Sequence, residues 1–258
     1  MYYQYIELPK GLSYSSVFSV KPEPVMTLWS TLHTVLDHRR RQRRRHNLRT
    51  ILTLAILALC SGHTSYLAMQ YSSLLAKAQN ANITPTDLAT VCTITNCTLP
   101  ASLPHGIYLA NGDVNLNTYN FPTNKNYVFL VNGNLTLQGD IAIPLGSTAL
   151  FSTAKNIIVS SNVGSIPTVT TSNLTGWYIA GQSFIVNTNG NCNDLRLNIA
   201  GSVVVNTSGT GGTFQNKRDL CTADTTAPSV SFNQRLDMIL NAPQFIRQQQ
   251  TVSKELAP

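Results

Sequence analysis

From about residue 101 the chain alternates apolar and polar positions over short runs, each opened or closed by Gly, Asn or Lys. Gly112-Asp113-Val114-Asn115-Leu116-Asn117 is followed by Gly133-Asn134-Leu135-Thr136-Leu137-Gln138. Lys155–Ser160, Gln182–Asn187 and Gly201–Asn206 repeat the shape. A period of two sends Val114/Leu116 and Leu135/Leu137 to one side of a strand. Longer apolar runs precede some of them, Tyr127–Val131 and Ser147–Phe151, and predict a second strand in each unit. Nearer the start the period changes. Met26, Trp29, Leu32, Val35 and Leu36 fall at helical spacing, a second helix is predicted over Leu48–Ser61 with Asn47 as its N-cap, and Ser65 would cap a third from Tyr66 to about Ala78.

The β-like runs recur. Gly112 to Gly133 is 21 residues, Gly133 to Lys155 is 22, and Gly181 to Gly201 is 20; only the step into Gly181 is longer, at 26. About 21 residues is the size of one coil of a parallel β-solenoid, whose coils bury their apolar faces only by stacking. The fold expected is therefore mainly β: a right-handed parallel β-solenoid of about five coils, preceded by a short α-helical segment. A β-sandwich is the rival, since short strands spaced by turns also suit it. Gly and Asn at the corners are expected to supply left-handed backbone. The segment Ser231–Ile246, with Met238, Ile239, Leu240, Phe245 and Ile246, is expected to cover the open C-terminal end. The domain plan is then an irregular leader over 1–25, a basic helical segment over 26–79, a linker over 80–100, the solenoid with its cap over 101–247, and a polar tail over 248–258.

Charge separates these parts. Residues 1–79 carry ten Lys or Arg against three Asp or Glu, whereas residues 80–258 carry eight of each. The pI of about 9.3 thus describes only the first third, where Arg39, Arg40, Arg41, Arg43, Arg44 and Arg45, with Arg49 beyond, form one cluster. The rest is nearly uncharged and rich in Asn, Thr and Ser, which suits exported repetitive β structure better than a cytosolic enzyme. Two readings of the basic end compete. Residues 51–75 are long enough to cross a bilayer, with the arginines holding their N-terminal side in the cytoplasm and Ala76-Lys77-Ala78 offering a cleavage shape. His63, Gln70 and several hydroxyls interrupt that segment. In the other reading the arginines form an electropositive loop that attracts nucleic-acid phosphate. A solvated loop is the bland third reading.

The order Asp37-x-Arg39-Arg40…Arg44-Arg45-His46-x-Leu48, then Leu52-x-Leu54…Gly62…Ser65-Tyr66, resembles the N-terminal domain associated with DDE transposases of the ISAs1/H-repeat type, over roughly Leu28–Tyr71. That resemblance implies DNA contact through Arg39–Arg45. The family's catalytic region, with its separated Asp and Glu metal ligands, does not follow here, so the resemblance implies a truncated segment. The block Gly176–Gly181, with Lys217–Cys221, Arg235-x-Asp237-x-Ile239-Leu240-Asn241-Ala242-Pro243 and Glu255–Pro258, resembles the C-terminal region of large, uncharacterised exported bacterial β-solenoid proteins. It carries no function over.

Candidate chemistry is sparse. Cys60 sits in an apolar run. Cys92, Cys97, Cys192 and Cys221 lack metal spacing and are candidates for two disulfides, 92–97 and 192–221, in an oxidising compartment; free thiols are the alternative. Polysaccharide-cleaving β-helices need clustered carboxylates, and Asp113 and Asp194 would share a face only if the coil register aligns them. Arg218 with Asp219, and Arg235 with Asp237, are expected as ion pairs fixing the C-terminal end. No catalytic residue, metal or cofactor is expected. The sequence points to a non-enzymatic exported or surface-displayed solenoid with a structural or adhesive role and a carbohydrate or cell-surface partner. A DNA-binding transposase-associated protein is the second reading, and a carbohydrate-active β-helix enzyme the third.

Overall fold

The computed structural model describes residues 69–243 and 246. Helix α1 (Tyr71–Asn80) comes first. Strands β1 (Thr86–Asp87), β2 (Gly106–Ala110), β3 (Val114–Leu116), β4 (Tyr119–Asn120), β5 (Asn126–Val131), β6 (Leu135–Leu137) and β7 (Ile141–Ala142) follow. Next are β8 (Thr148–Thr153), β9 (Ile157–Val159), β10 (Leu174–Ala180), β11 (Phe184–Val186), β12 (Leu197–Val204), β13 (Phe214–Asn216) and β14 (Val230–Asn233), then the short helix α2 (Leu236–Leu240). Every strand pairing is parallel. The chain is a β-solenoid, and the sandwich alternative falls, because a sandwich built from hairpins pairs its strands antiparallel.

One sheet runs β1-β2-β5-β8-β10-β12-β14 and a second runs β3-β6-β9-β11-β13. A short third face, unforeseen in the sequence, starts with β4 and β7 and joins the first residue of β10. The second sheet holds the alternating runs, with Val114, Leu135, Ile157 and Phe184 stacked in register. Its fifth member differs from expectation. Gly201–Val204 belongs to β12 of the first sheet, and Phe214 pairs with Phe184 instead. Gly201 stacks on Gly176, at φ 139° and 145°. A Cβ on Gly201 would sit 2.0 Å from the Gly176 carbonyl oxygen. Only glycine permits that approach, which lets β10 and β12 run straight through a corner where earlier coils turn.

The middle of the first sheet, strands β5, β8 and β10, is buried on both faces. Tyr108, Phe129, Phe151 and Tyr178 stack inside, with ring centroids 5.2, 5.1 and 5.2 Å apart. The alternate residues of β8 point outward. Thr148 Oγ1 donates to the Met238 carbonyl at 3.5 Å and Ser152 Oγ donates to that of Met69 at 3.2 Å. The start of α1 and the C-terminal segment thus lie on the outer face of one sheet, where Val128, Leu130 and Leu150 are fully buried. Leu74 and Ala78 of α1 join the same core. Tyr66, where this helix was expected to start, lies outside the described residues; α1 packs on the solenoid instead of belonging only to the basic segment. Residues 80–100, expected as a linker, already contribute β1 and two 3-10 turns, Leu88–Thr90 and Ile94–Asn96.

Two side-chain ladders bind the coils along the corners. In the first, the Asn134 backbone N–H and Nδ2 donate to the Asp113 carboxylate at 2.8 and 3.1 Å. Asn156 repeats this on Asn134 Oδ1, Ser183 N–H donates to Asn156 Oδ1, and Thr213 N–H donates to Ser183 Oγ. In the second, Asn173 Nδ2 donates to Asp140 Oδ2, Asn198 N–H to Asn173 Oδ1, and Ser231 Oγ to Asn198 Oδ1. These asparagines are hydrogen-bonding rungs, while the left-handed Asn backbone expected at corners is found at Asn124 and Asn206. Among the described residues only Asn82, Asn124, Asn206 and Cys221 are non-glycine positions with positive φ. Asn156→Ala removes one rung and orphans the N–H of buried Ser183. It is expected to lower unfolding free energy by about 1–3 kcal/mol, readable as a shifted urea midpoint at unchanged m.

Candidate functional site: stapled loops beside an uncharged sheet face

The first coil-to-coil steps in the second sheet are 21 and 22 residues, and the next are 27 and 30. The extra residues lie in the loops 160–173, 187–196 and 205–213; the first two meet a further loop after β13, 217–229. Long loops on a rigid scaffold are where binding groups gather, and Arg218 organises these. It is 6 % exposed. Its Nη2 donates to the Ser160 carbonyl at 2.9 Å, Nη1 to Leu195 at 2.8 Å and Nε to Asn187 at 3.1 Å. The planar five-donor fork suits three carbonyls spread over successive coils. Burial pulls this guanidinium down to about 10, with Asp194 acting in the opposite direction.

Asp194 is the anionic counterpart, 2 % exposed. Its carboxylate accepts from Thr188 Oγ1 at 2.7 Å, Asn189 N–H at 2.7 Å and Asp219 N–H at 3.0 Å. Burial alone would raise its pKa, but these donors and the Arg218 charge outweigh it and hold the carboxyl below its ordinary value. Gly164 allows the first loop to close on this centre. A Cβ there would lie 2.9 Å from Arg218 Nη1 and 2.7 Å from the Arg196 carbonyl oxygen. Cys192 and Cys221 then bridge loops 187–196 and 217–229, with Cα atoms 5.2 Å apart. At the other end Cys92 and Cys97 are bridged, Cα atoms 5.1 Å apart.

The ion pairs expected at this end separate. Arg235 and Asp237 pair at 2.7 Å, and Arg235 also donates to the carbonyls of Ile143 and Pro144. The Asp237 carboxyl is held low chiefly by the Arg235 hydrogen bond. Arg218 does not pair with Asp219: its guanidinium is taken by loop carbonyls, while Asp219 Oδ1 accepts from the Cys221 N–H at 2.7 Å. Sequence adjacency suggested a pair where the fold supplies closer acceptors. Asp219 comes near Cys192 and Cys221, but both sulfurs are committed to the disulfide.

Asp113 and Asp194 do not share a row. Asp113 heads the first ladder, its carboxyl lowered chiefly by the Asn134 backbone hydrogen bond, whereas Asp194 sits in the loop before β12. What the solenoid does present is the outer side of the second sheet. Asn115, Thr136, Ile158, Ile185 and Gln215 stack in register as its outward row. Neighbouring coils in such a row repeat at about 4.8 Å. Asn117, Gln138, Ser160, Asn187 and Lys217 follow one step beyond, and Asp113 precedes Asn115 on the same side, so this face carries its charges only at its first and last coils.

Arg39, Arg40, Arg41, Arg43, Arg44, Arg45 and Arg49 lie outside the described residues, as do residues 51–68 of the candidate membrane segment. Its remainder, 69–75, runs into α1 and the solenoid core. Among the described residues no helix is long and apolar enough to cross a membrane. Comparisons with protein families, with curated proteins and with solved structures find no match.

Proposed function

We propose that the protein is a non-enzymatic, exported or surface-displayed β-solenoid module with a structural or adhesive role. The observation that carries this reading is the pairing of all four solenoid cysteines, one disulfide at each end of the stack. Disulfides persist in oxidising compartments and are rare where glutathione keeps thiols reduced. The uncharged row Asn115–Thr136–Ile158–Ile185–Gln215 supports the adhesive half of the reading: its amides and hydroxyl suit sugar hydroxyls and its two central isoleucines suit the apolar face of a sugar ring, without needing charge. The basic segment would act as a topology determinant or an inert truncated transposase-associated piece.

The test is fractionation of native cells, with an antibody against residues 100–258 and alkylation before and after reduction. The expected result is a protein in the envelope or medium in which Cys92, Cys97, Cys192 and Cys221 are blocked until reduced. A soluble cytosolic protein with four free thiols would overturn the reading and put nucleic-acid binding through Arg39–Arg45 in its place. That alternative requires binding that weakens steeply with salt.

A further inference from the structure

We propose that the C-terminal end of the solenoid is a self-association surface, on which a second copy of this chain docks edge to edge about a two-fold axis. Among the described residues the C-terminal segment does not close this end. β14 pairs only with Leu197–Ala200 of β12, so Gly201–Val204 has no strand on that side among the described residues. β13 is likewise the last strand of its sheet. Helix α2 then turns away along the outer face of the first sheet, where Arg235 and Met238 meet Ile143, Pro144 and Thr148.

What remains is half a coil of edge. The Leu197 N–H donates toward β14, to the Ser229 carbonyl. By alternation the backbone groups of Gly201 and Val203 face the same, unoccupied side. Val203, Val204 and Val205 are half-buried, and Phe214 is 37 % exposed although its ring stacks on Phe184 inside the core. Such an edge is a template for another strand.

The occupant follows from charge and from the other end of the stack. Residues 201–216 contain no Asp, Glu, Lys or Arg. A charged partner would find no counter-charge there, while a second copy brings no repulsion. Head-to-tail stacking is blocked because the N-terminal end is filled by the chain itself. Cys97 N–H donates to the Asn115 carbonyl at 2.7 Å, Asn117 N–H donates to Cys97 at 2.9 Å, and β1 lies on β2. One open end and one closed end give a closed pair instead of a filament.

Sedimentation of the full chain from low micromolar to the highest soluble concentration tests this. The expected result is a rise from one chain mass to two and no further. Val203→Pro deletes the edge N–H at a position where proline is tolerated in an edge strand, and is expected to abolish the doubling with an unchanged circular-dichroism spectrum. If that variant misfolds, amide exchange of Gly201, Val203 and Val205 in the parent decides. Protection that grows with protein concentration supports the pair. A monomer at every concentration, growth beyond two chains, a folded Val203→Pro that still doubles, or concentration-independent protection from residues of the same chain would overturn it.

Discussion

Arg218→Ala is expected to lower the unfolding free energy by about 3–5 kcal/mol, as removal of one partner from a buried charged network does. The substitution strips donors from the carbonyls of Ser160, Leu195 and Asn187 at once. It also leaves Asp194 buried without its nearest cation, although Thr188, Asn189 and Asp219 still donate to it. Arg218→Lys separates charge from shape. The ammonium keeps the attraction to Asp194 but cannot span three acceptors in one plane, so less than half the loss should be recovered. Urea denaturation with the Cys192–Cys221 disulfide intact measures both. A loss under about 1 kcal/mol for Arg218→Ala, typical of a single neutral hydrogen bond, would show that the loops hold together without this side chain.

Leu74→Ala is expected to cost about 2–5 kcal/mol, the range for emptying a fully buried leucine site. Alanine is the best helix former, so α1 itself is not weakened and the loss reports packing alone. Exposed Gln79→Ala, in the same helix, should change stability by less than about 0.5 kcal/mol. A Leu74→Ala loss no larger than that of Gln79→Ala would mean that α1 is not part of the core. The result also bears on processing. Cleavage after the Ala76-Lys77-Ala78 shape would discard α1, together with buried Leu74 and Ala78, and bare the outward row containing Leu130 and Leu150. A cut that preserves the solenoid has to fall before Met69.

The short rows were legible in the sequence because each of the first four coils of the second sheet places two inward apolar residues two positions apart, as in Val114/Leu116 and Ile157/Val159. The same logic misplaces Val203-Val204-Val205. That triplet has the apolar density of a second-sheet row, but Gly176 and Gly201 carry its strand through the corner into the first sheet. The true fifth row shows only Phe214 as an inward aromatic, followed by Gln215 and Asn216, and leaves no alternation to read. The all-buried strand Thr148–Thr153 owes its second covered face to the residues leading into α1 and to the C-terminal segment, which contact it from 83 and 90 residues away along the chain. That the four solenoid cysteines are candidates for two disulfides was legible from their number and spacing, whereas the connectivity came from the fold. Arg218 was not, because carbonyl acceptors in irregular loops have no sequence signature.

The ladders also have a direction. Each asparagine amide donates toward the coil before it, and the first rung of each is a carboxylate, Asp113 or Asp140, which has no N–H to leave unmet. The side-chain donors of a new coil are therefore satisfied by residues already made. Along the ladders, an unfinished stack exposes only spare side-chain acceptors, which water satisfies at little cost, while its backbone N–H groups still await the carbonyls of the next coil. A chain leaving the ribosome or crossing a membrane N-terminus first would assemble in the order its amides require, one coil serving as the template for the next.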